Sequence, residues 1–261
     1  MWVAGEAYEP YVGRWSRLVA HQFVRWMGAV PAGSWRDVGC GTGAVTQAVL
    51  DVAEPAMVVG VDPSEGYVEY ARRTIGDRRA RFVLADAVNL PFADATASVA
   101  VSGLVLNFVP DAPRAAAEMV RVVRRGGSVG AYVWDYGEGG MEAIRAFWDA
   151  ARALDPDARA LDEAVRFPLC GPAPLGELLV GAGLEDVEVE EIGVLTRFSD
   201  FDDYWKPFLG GQGPAPAYVA ALPEERRAEL RARLRSALPR EADGSIPLRA
   251  RAWAARGRRR A

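Results

Sequence analysis

Apolar residues in the first half of the chain fall in short runs, separated by stretches where they recur at helical spacing. Short apolar runs bounded by turn formers read as buried strands, and apolar positions every three to four residues read as helices. The pattern predicts strands over Ser34–Val38, 56–61, 81–85, 98–106 and 128–135. Helices are expected between them over Ala44–Val52, 63–75 and 112–124, with Ser64 placed to cap the second and Gly126-Gly127 to stop the third. Such strand–helix alternation implies right-handed crossovers and a parallel sheet covered on both faces, an α/β fold.

The second half is less regular. Helices over 141–153 and 175–181 lead to a strand over 186–195, and a last strand is expected over 246–254. Between these two strands lie Phe201-Asp202-Asp203-Tyr204-Trp205, the turn-rich Gly210-Gly211-Gln212-Gly213-Pro214 and an arginine-rich helix over 223–238. An insertion of this size, rich in aromatics, is read as a cap over a cleft, with packed helical decoration as the alternative. The expected organisation is an N-terminal helical lid (1–30), a ligand-binding core (31–195), an inserted cap (196–245) and a last core strand with a basic tail (246–261).

Composition narrows the chemistry. The 261 residues are 50% hydrophobic and 25% charged, with a net charge of −4, so no strong overall field favours nucleic acid or an anionic membrane. Cys40 and Cys170 cannot build a disulfide framework, and His21 is the single histidine. That excludes imidazole-rich metal sites and argues against a Ser-His-Asp triad; no metal is expected. The first residues carry Glu6 and Glu9 rather than a basic-then-apolar signal, and no apolar run is long enough to cross a bilayer. A cytoplasmic protein, monomer or homodimer, is expected.

The strongest chemical signal is Asp37-Val38-Gly39-Cys40-Gly41-Thr42-Gly43, where the first strand turns into the first core helix. Glycines there let the backbone approach a ligand, and the helix N-terminus offers unpaired N–H groups. The second strand ends at Asp62, where a carboxylate is placed to accept both ribose hydroxyls of a nucleotide. The third ends at Asp86, on the same rim of the sheet. Gly39-x-Gly41-x-x-Ala44 also fits a nicotinamide dinucleotide fingerprint. Asp37 weighs against that alternative: a pyrophosphate gains nothing from a neighbouring carboxylate, whereas an ammonium or sulfonium does. Asp37 could instead cap a turn, Asp86 could be ordinary turn chemistry, and Cys40 could simply fill space in the loop.

On these residues, with Val59-Gly60-Val61-Asp62-Pro63-Ser64, Leu84-Ala85-Asp86-Ala87, Leu90-Pro91-Phe92 and Arg124-Arg125-Gly126-Gly127, the chain resembles the class I S-adenosylmethionine-dependent methyltransferases. The likeness covers about residues 35–135 and is nearest the type-11 group that includes ubiquinone and menaquinone methyltransferases. It implies a Rossmann-like, seven-stranded, mostly parallel sheet whose antiparallel last strand accounts for the two late strands, with the cap as a departure inserted before that last strand. It implies S-adenosyl-L-methionine as cofactor. Gly39, Cys40 and Gly41 would pass the methionine part beside Asp37, Asp62 with Pro63 and Ser64 would hold the ribose, and Asp86 and Ala87 would meet the adenine. Ser102 or Leu104 would border the cofactor. The run Tyr11 to Ser16 looks like the family's closing N-terminal helix, with Tyr11 and Arg14 over the methionine carboxylate, although Tyr8, Tyr11, Trp15, Val19 and Phe23 also form a simple core-facing stripe.

Clefts in such sheets form at the strands' carboxyl ends, which nominates Asn107, Phe108, Trp134, Tyr136, Trp148 and Trp205 as substrate-lining, with Phe147 beside them. A largely aromatic lining predicts a small apolar or planar methyl acceptor. Asp135 or Tyr204 would be the available bases. Three alternatives stay open: a nicotinamide oxidoreductase, a nucleic-acid methyltransferase using the clustered arginines, and a non-catalytic cofactor binder. The nucleic-acid acceptor is disfavoured because Glu224, Glu225 and Glu229 pair with the helix arginines at helical spacing.

Overall fold

The computed structural model describes residues 13–28, 30–210 and 213–261. Seven strands, β1 (Ser34–Val38), β2 (Met57–Asp62), β3 (Ala80–Leu84), β4 (Ala97–Gly103), β5 (Val123–Trp134), β6 (Leu184–Phe198) and β7 (Ile246–Arg259), form one sheet in the order β3-β2-β1-β4-β5-β7-β6. The β3-to-β5 ladder is parallel throughout, and β7 runs antiparallel to both β5 and β6. Central strands such as β2 and β4 are buried on both faces and read as continuous apolar runs, Val58–Val61 and Val99–Val101. The edge strand β6 instead alternates, with Ile192, Val194 and Phe198 buried and Leu195 and Arg197 exposed between them.

Helices cover both faces. One carries α1 (Arg14–Met27), α2 (Ala44–Val52), α3 (Glu65–Thr74) and α5 (Glu142–Leu154); the other carries α4 (Ala112–Val122) and α7 (Pro172–Gly181). A short helix α6 (Glu163–Arg166) follows α5. The stripe on α1 buries Trp15, Val19 and Phe23, and Phe23 meets Tyr132 of β5 at 4.7 Å. Between β6 and β7 come α8 (Phe201–Trp205), α9 (Pro214–Ala221) and α10 (Glu224–Ala237). Buried side chains of these helices, Tyr204, Tyr218, Leu230 and Leu234, with Phe208 of the 3₁₀ turn Lys206–Gly210, join the core cluster that runs under α1 and α5. Phe208 stacks on Phe147 of α5 at 4.7 Å, which fastens the insertion to the core.

Several elements differ from the sequence expectation. The fourth strand ends at Gly103 rather than 106, because Leu104 turns the chain with φ of 62° and Leu106–Phe108 forms a single 3₁₀ turn. Helix α4 ends at Val122 and β5 starts at once, so Gly126-Gly127 lie within the strand, where its register against β4 shifts between Ala97 and Val99. Ser64 sits at the N-cap of α3 but makes no side-chain cap bond. The basic tail is strand: β7 extends to Arg259, Arg256 pairs with Glu188 at 2.7 Å, and Arg260 pairs with Glu185 at 2.6 Å.

Candidate active site

The β1–α2 turn is shaped by backbone geometry that only glycine adopts without strain. Gly39 has φ of 76°, and a Cβ there would strike the Val105 side chain. Gly41 has φ of 51°, yet a Cβ there would meet nothing within 4 Å. Its backbone therefore faces open space, the condition for close approach of a ligand. The turn is held from behind, since the amides of Gly39 and Cys40 both donate to the Val61 carbonyl, at 2.8 and 2.9 Å.

Asp62, at the end of β2, accepts from the Gly41 amide at 3.0 Å with Oδ2 and from the Ser64 amide at 2.9 Å with Oδ1. Each oxygen keeps a lone pair for a further donor, so a diol fits this carboxylate. Burial raises its pKa, opposed by the two amide bonds. Asp37 lies deeper and is wholly buried: Oδ2 accepts from the Thr46 hydroxyl at 2.7 Å, while Oδ1 has no partner among the described residues. Desolvation pushes its pKa up to about 7. A buried carboxylate with one oxygen unpaired among the described residues is an exception to the usual satisfaction of buried polar groups.

Other predicted contacts divide. Asp86 is exposed at the end of β3, with Oδ1 accepting from the Val88 amide at 3.0 Å, and Ala87 is buried beside it. Pro63 is exposed and Ser64 half-buried on the rim. The Cys40 side chain points away from the loop's open side, since a Cβ on Gly60 would lie 2.9 Å from its sulfur. Only its backbone belongs to the turn. The Ser102 hydroxyl is spent on the Val38 carbonyl at 2.8 Å, leaving Leu104, held in a left-handed conformation, as the residue that shapes this border. Tyr11 lies outside the described residues, as does the Arg14 side chain. His21 joins α1 to α2 at the surface through Asp51 at 2.9 Å.

The structure gives the two nominated bases other work. Asp135 accepts from Arg251 Nε at 2.7 Å and Trp253 Nε1 at 2.9 Å on one oxygen, and from the Gly137 amide at 2.7 Å on the other. It clasps the end of β5 to β7. Tyr204 is fully buried, donates to the Ala143 carbonyl at 2.9 Å, and has its pKa raised by burial. Both have the right chemistry, and the polar atoms of both are engaged in these bonds.

The nominated acceptor-side residues also separate. Trp148 is fully buried and donates to Glu163, whose pKa burial pushes up to about 7. Trp205 packs within the insertion between β6 and β7, stacked on Phe201. Phe147 is core. By contrast Phe108, 43% exposed, and Tyr136 both meet Phe167, at 4.9 and 5.9 Å between ring centroids. Half-buried Asn107 sits beside Phe108. Phe167 follows α6 in an irregular stretch without periodicity, and sequence reasoning missed it. Trp134, at the end of β5, is buried with an Nε1–H that has no acceptor among the described residues.

A parallel sheet carrying a glycine turn after its first strand and a diol-ready carboxylate after its second defines a nucleoside-cofactor-binding α/β protein. Residues 36–130 match the profile of the family described as Methyltransferase domain. A demethylmenaquinone methyltransferase of Roseiflexus sp. (strain RS-1) is 31% identical over 173 residues, covering 60% of this chain and 70% of the relative. Another, of Symbiobacterium thermophilum, is 34% identical over 122 residues, covering 44% of this chain and 47% of its own length. Among solved structures, the YcgJ protein of Bacillus subtilis shares the fold with a TM-score of 0.61 at 16% identity, covering 94% of this chain and 99% of that one. Phosphoethanolamine N-methyltransferase 2 of Haemonchus contortus, solved with S-adenosyl-L-methionine, has a TM-score of 0.56 at 16% identity, covering 92% of this chain and 52% of that one. The chain belongs to the methyltransferase-domain family and is an S-adenosylmethionine-dependent methyltransferase. Among the described residues, no helix is long and apolar enough to cross a membrane.

Proposed function

We propose that this methyltransferase acts on a small, apolar or aromatic molecule, taken up at the carboxyl ends of β4 and β5. The observation that carries this reading is the ring cluster of Phe108, Tyr136 and Phe167, open to solvent on its Phe108 side. Flat apolar ligands gain both area burial and ring–ring contact against such a wall. Trp134 adds a buried N–H that an acceptor oxygen would satisfy. A relative named for demethylmenaquinone points the same way.

In this reading Asp62 takes the ribose hydroxyls, the Gly39–Gly41 backbone passes the methionine part above Asp37, and Asp86 with Ala87 borders the adenine. Bound S-adenosylmethionine supplies an already electrophilic methyl group, so the chain's work is alignment and exclusion of water. The strained Leu104 turn and the aromatic wall do both at the acceptor side. Asp135 and Tyr204 hold the fold through their bonds to β7 and to the Ala143 carbonyl.

Deuterated-methyl S-adenosylmethionine with a panel of quinols, phenols and naphthols, set against transfer RNA and duplex DNA, tests the proposal by mass spectrometry. Labelled small-molecule product is expected. Label only in nucleic acid would overturn the reading.

A further inference from the structure

The cap carries a cavity that shares no residue with the glycine-loop site. It has a volume of about 420 Å³ and lies between α10 and the chain around Trp205. Arg227, Arg231 and Arg235 recur at every fourth position of α10 and line it together, while Ala228 and Ala232, also four apart, keep it open. Trp205 forms an apolar wall. The carboxylates bonded to these arginines are Glu224, 3.2 Å from Arg227, and Asp202, 2.9 Å from Arg231 and 3.9 Å from Arg235. Three guanidinium groups therefore share two acids. Each guanidinium has five N–H donors, more than these contacts use. Arg235 lies 4.8 Å from the Phe201 ring, which orients its planar head beside the cavity.

We propose that this cavity is a second binding site, separate from methyl transfer, for a small organic anion with a flat apolar body, such as an aromatic carboxylate or sulfonate. The surplus positive charge and planar donors suit the anionic group, and the Trp205 and alanine surfaces suit the apolar body. The opposite flank of α10 offers a contrast: Arg226 and Arg233 both pair with Glu229 across an exposed surface.

The probe is 1-anilinonaphthalene-8-sulfonate, followed by fluorescence titration on the full chain. The wild type is expected to bind it saturably, with affinity falling roughly tenfold or more in Arg231→Gln/Arg235→Gln and unchanged in the control Arg226→Gln/Arg233→Gln. Ala232→Phe, which fills the cavity and leaves every charge in place, is expected to abolish binding as well. S-adenosylhomocysteine at saturation should leave the dye in place. Equal dye affinity in both arginine pairs, dye displacement by S-adenosylhomocysteine, or no saturable binding to the wild type would each overturn the proposal.

Discussion

At the β1–α2–β2 corner, the polar groups are backbone amides and the carboxylate at a strand end; in the insertion between β6 and β7 and the stretch around α6, rings and guanidinium heads predominate. The first region is tied to strands buried on both faces. The second hangs between two strands and is fastened by stacked rings such as Phe147 on Phe208. Rigid strand ends paired with variable insertions are the arrangement by which one fold hosts different functions.

The contrast breaks most readily at Gly39. Gly39→Val places a branched side chain at φ of 76° against Val105, and is expected to cost about 2–4 kcal/mol and to abolish cofactor binding. Thermal unfolding and calorimetric titration check both; a protein of unchanged stability would mean the corner is more plastic than its geometry. Next comes Asp62→Ala, which removes the acceptor for a ribose diol and for the Gly41 amide. Affinity for S-adenosylhomocysteine should fall by roughly a hundredfold while the aromatic wall stays intact.

A smaller effect follows from the raised carboxylates. Asp37 in the corner and Glu163 in the acceptor half both titrate near 7 rather than in the ordinary carboxylate range. The folded chain thus holds protons that the unfolded chain has released. Their contribution to stability is fully present at low pH, below the unfolded values near 4, and is lost as pH rises toward 7. The ligand-free protein should lose melting temperature between pH 5 and 7, and Asp37→Asn and Glu163→Gln should each flatten that slope. Smallest is Phe167→Ala, expected to raise KM for an aromatic acceptor about tenfold without changing cofactor affinity. An equal loss in both constants would dissolve the division between the two regions.

The same division governs what the sequence discloses. Ser34–Val38 and Ala44–Val52 are readable to the residue because an apolar run, a glycine turn and a second apolar run all point one way. The end of β4 is not, since the left-handed Leu104 turn is imposed by neighbours rather than by its own preference. The far half of β7 hides because its buried positions are alanines and a glycine set among arginines, so the alternation carries little hydrophobic signal. Asp135, Tyr204 and Trp148 show that residue type is legible where direction is not: their polar atoms are engaged by Arg251, the Ala143 carbonyl and Glu163. Phe167 belongs to a stretch with no period to read.

Strand β7 sits between β5 and β6 rather than at an edge. During synthesis, therefore, β6 leaves the ribosome without its hydrogen-bonding partner and waits through residues 199–245 before one arrives. A nascent chain paused in that interval exposes the unpaired polar groups of a fifteen-residue strand, the kind of edge on which chains pair wrongly with one another. Ribosome stalling within this window should favour aggregates over native enzyme, so the yield of the protein is expected to follow how quickly its last strand closes the sheet.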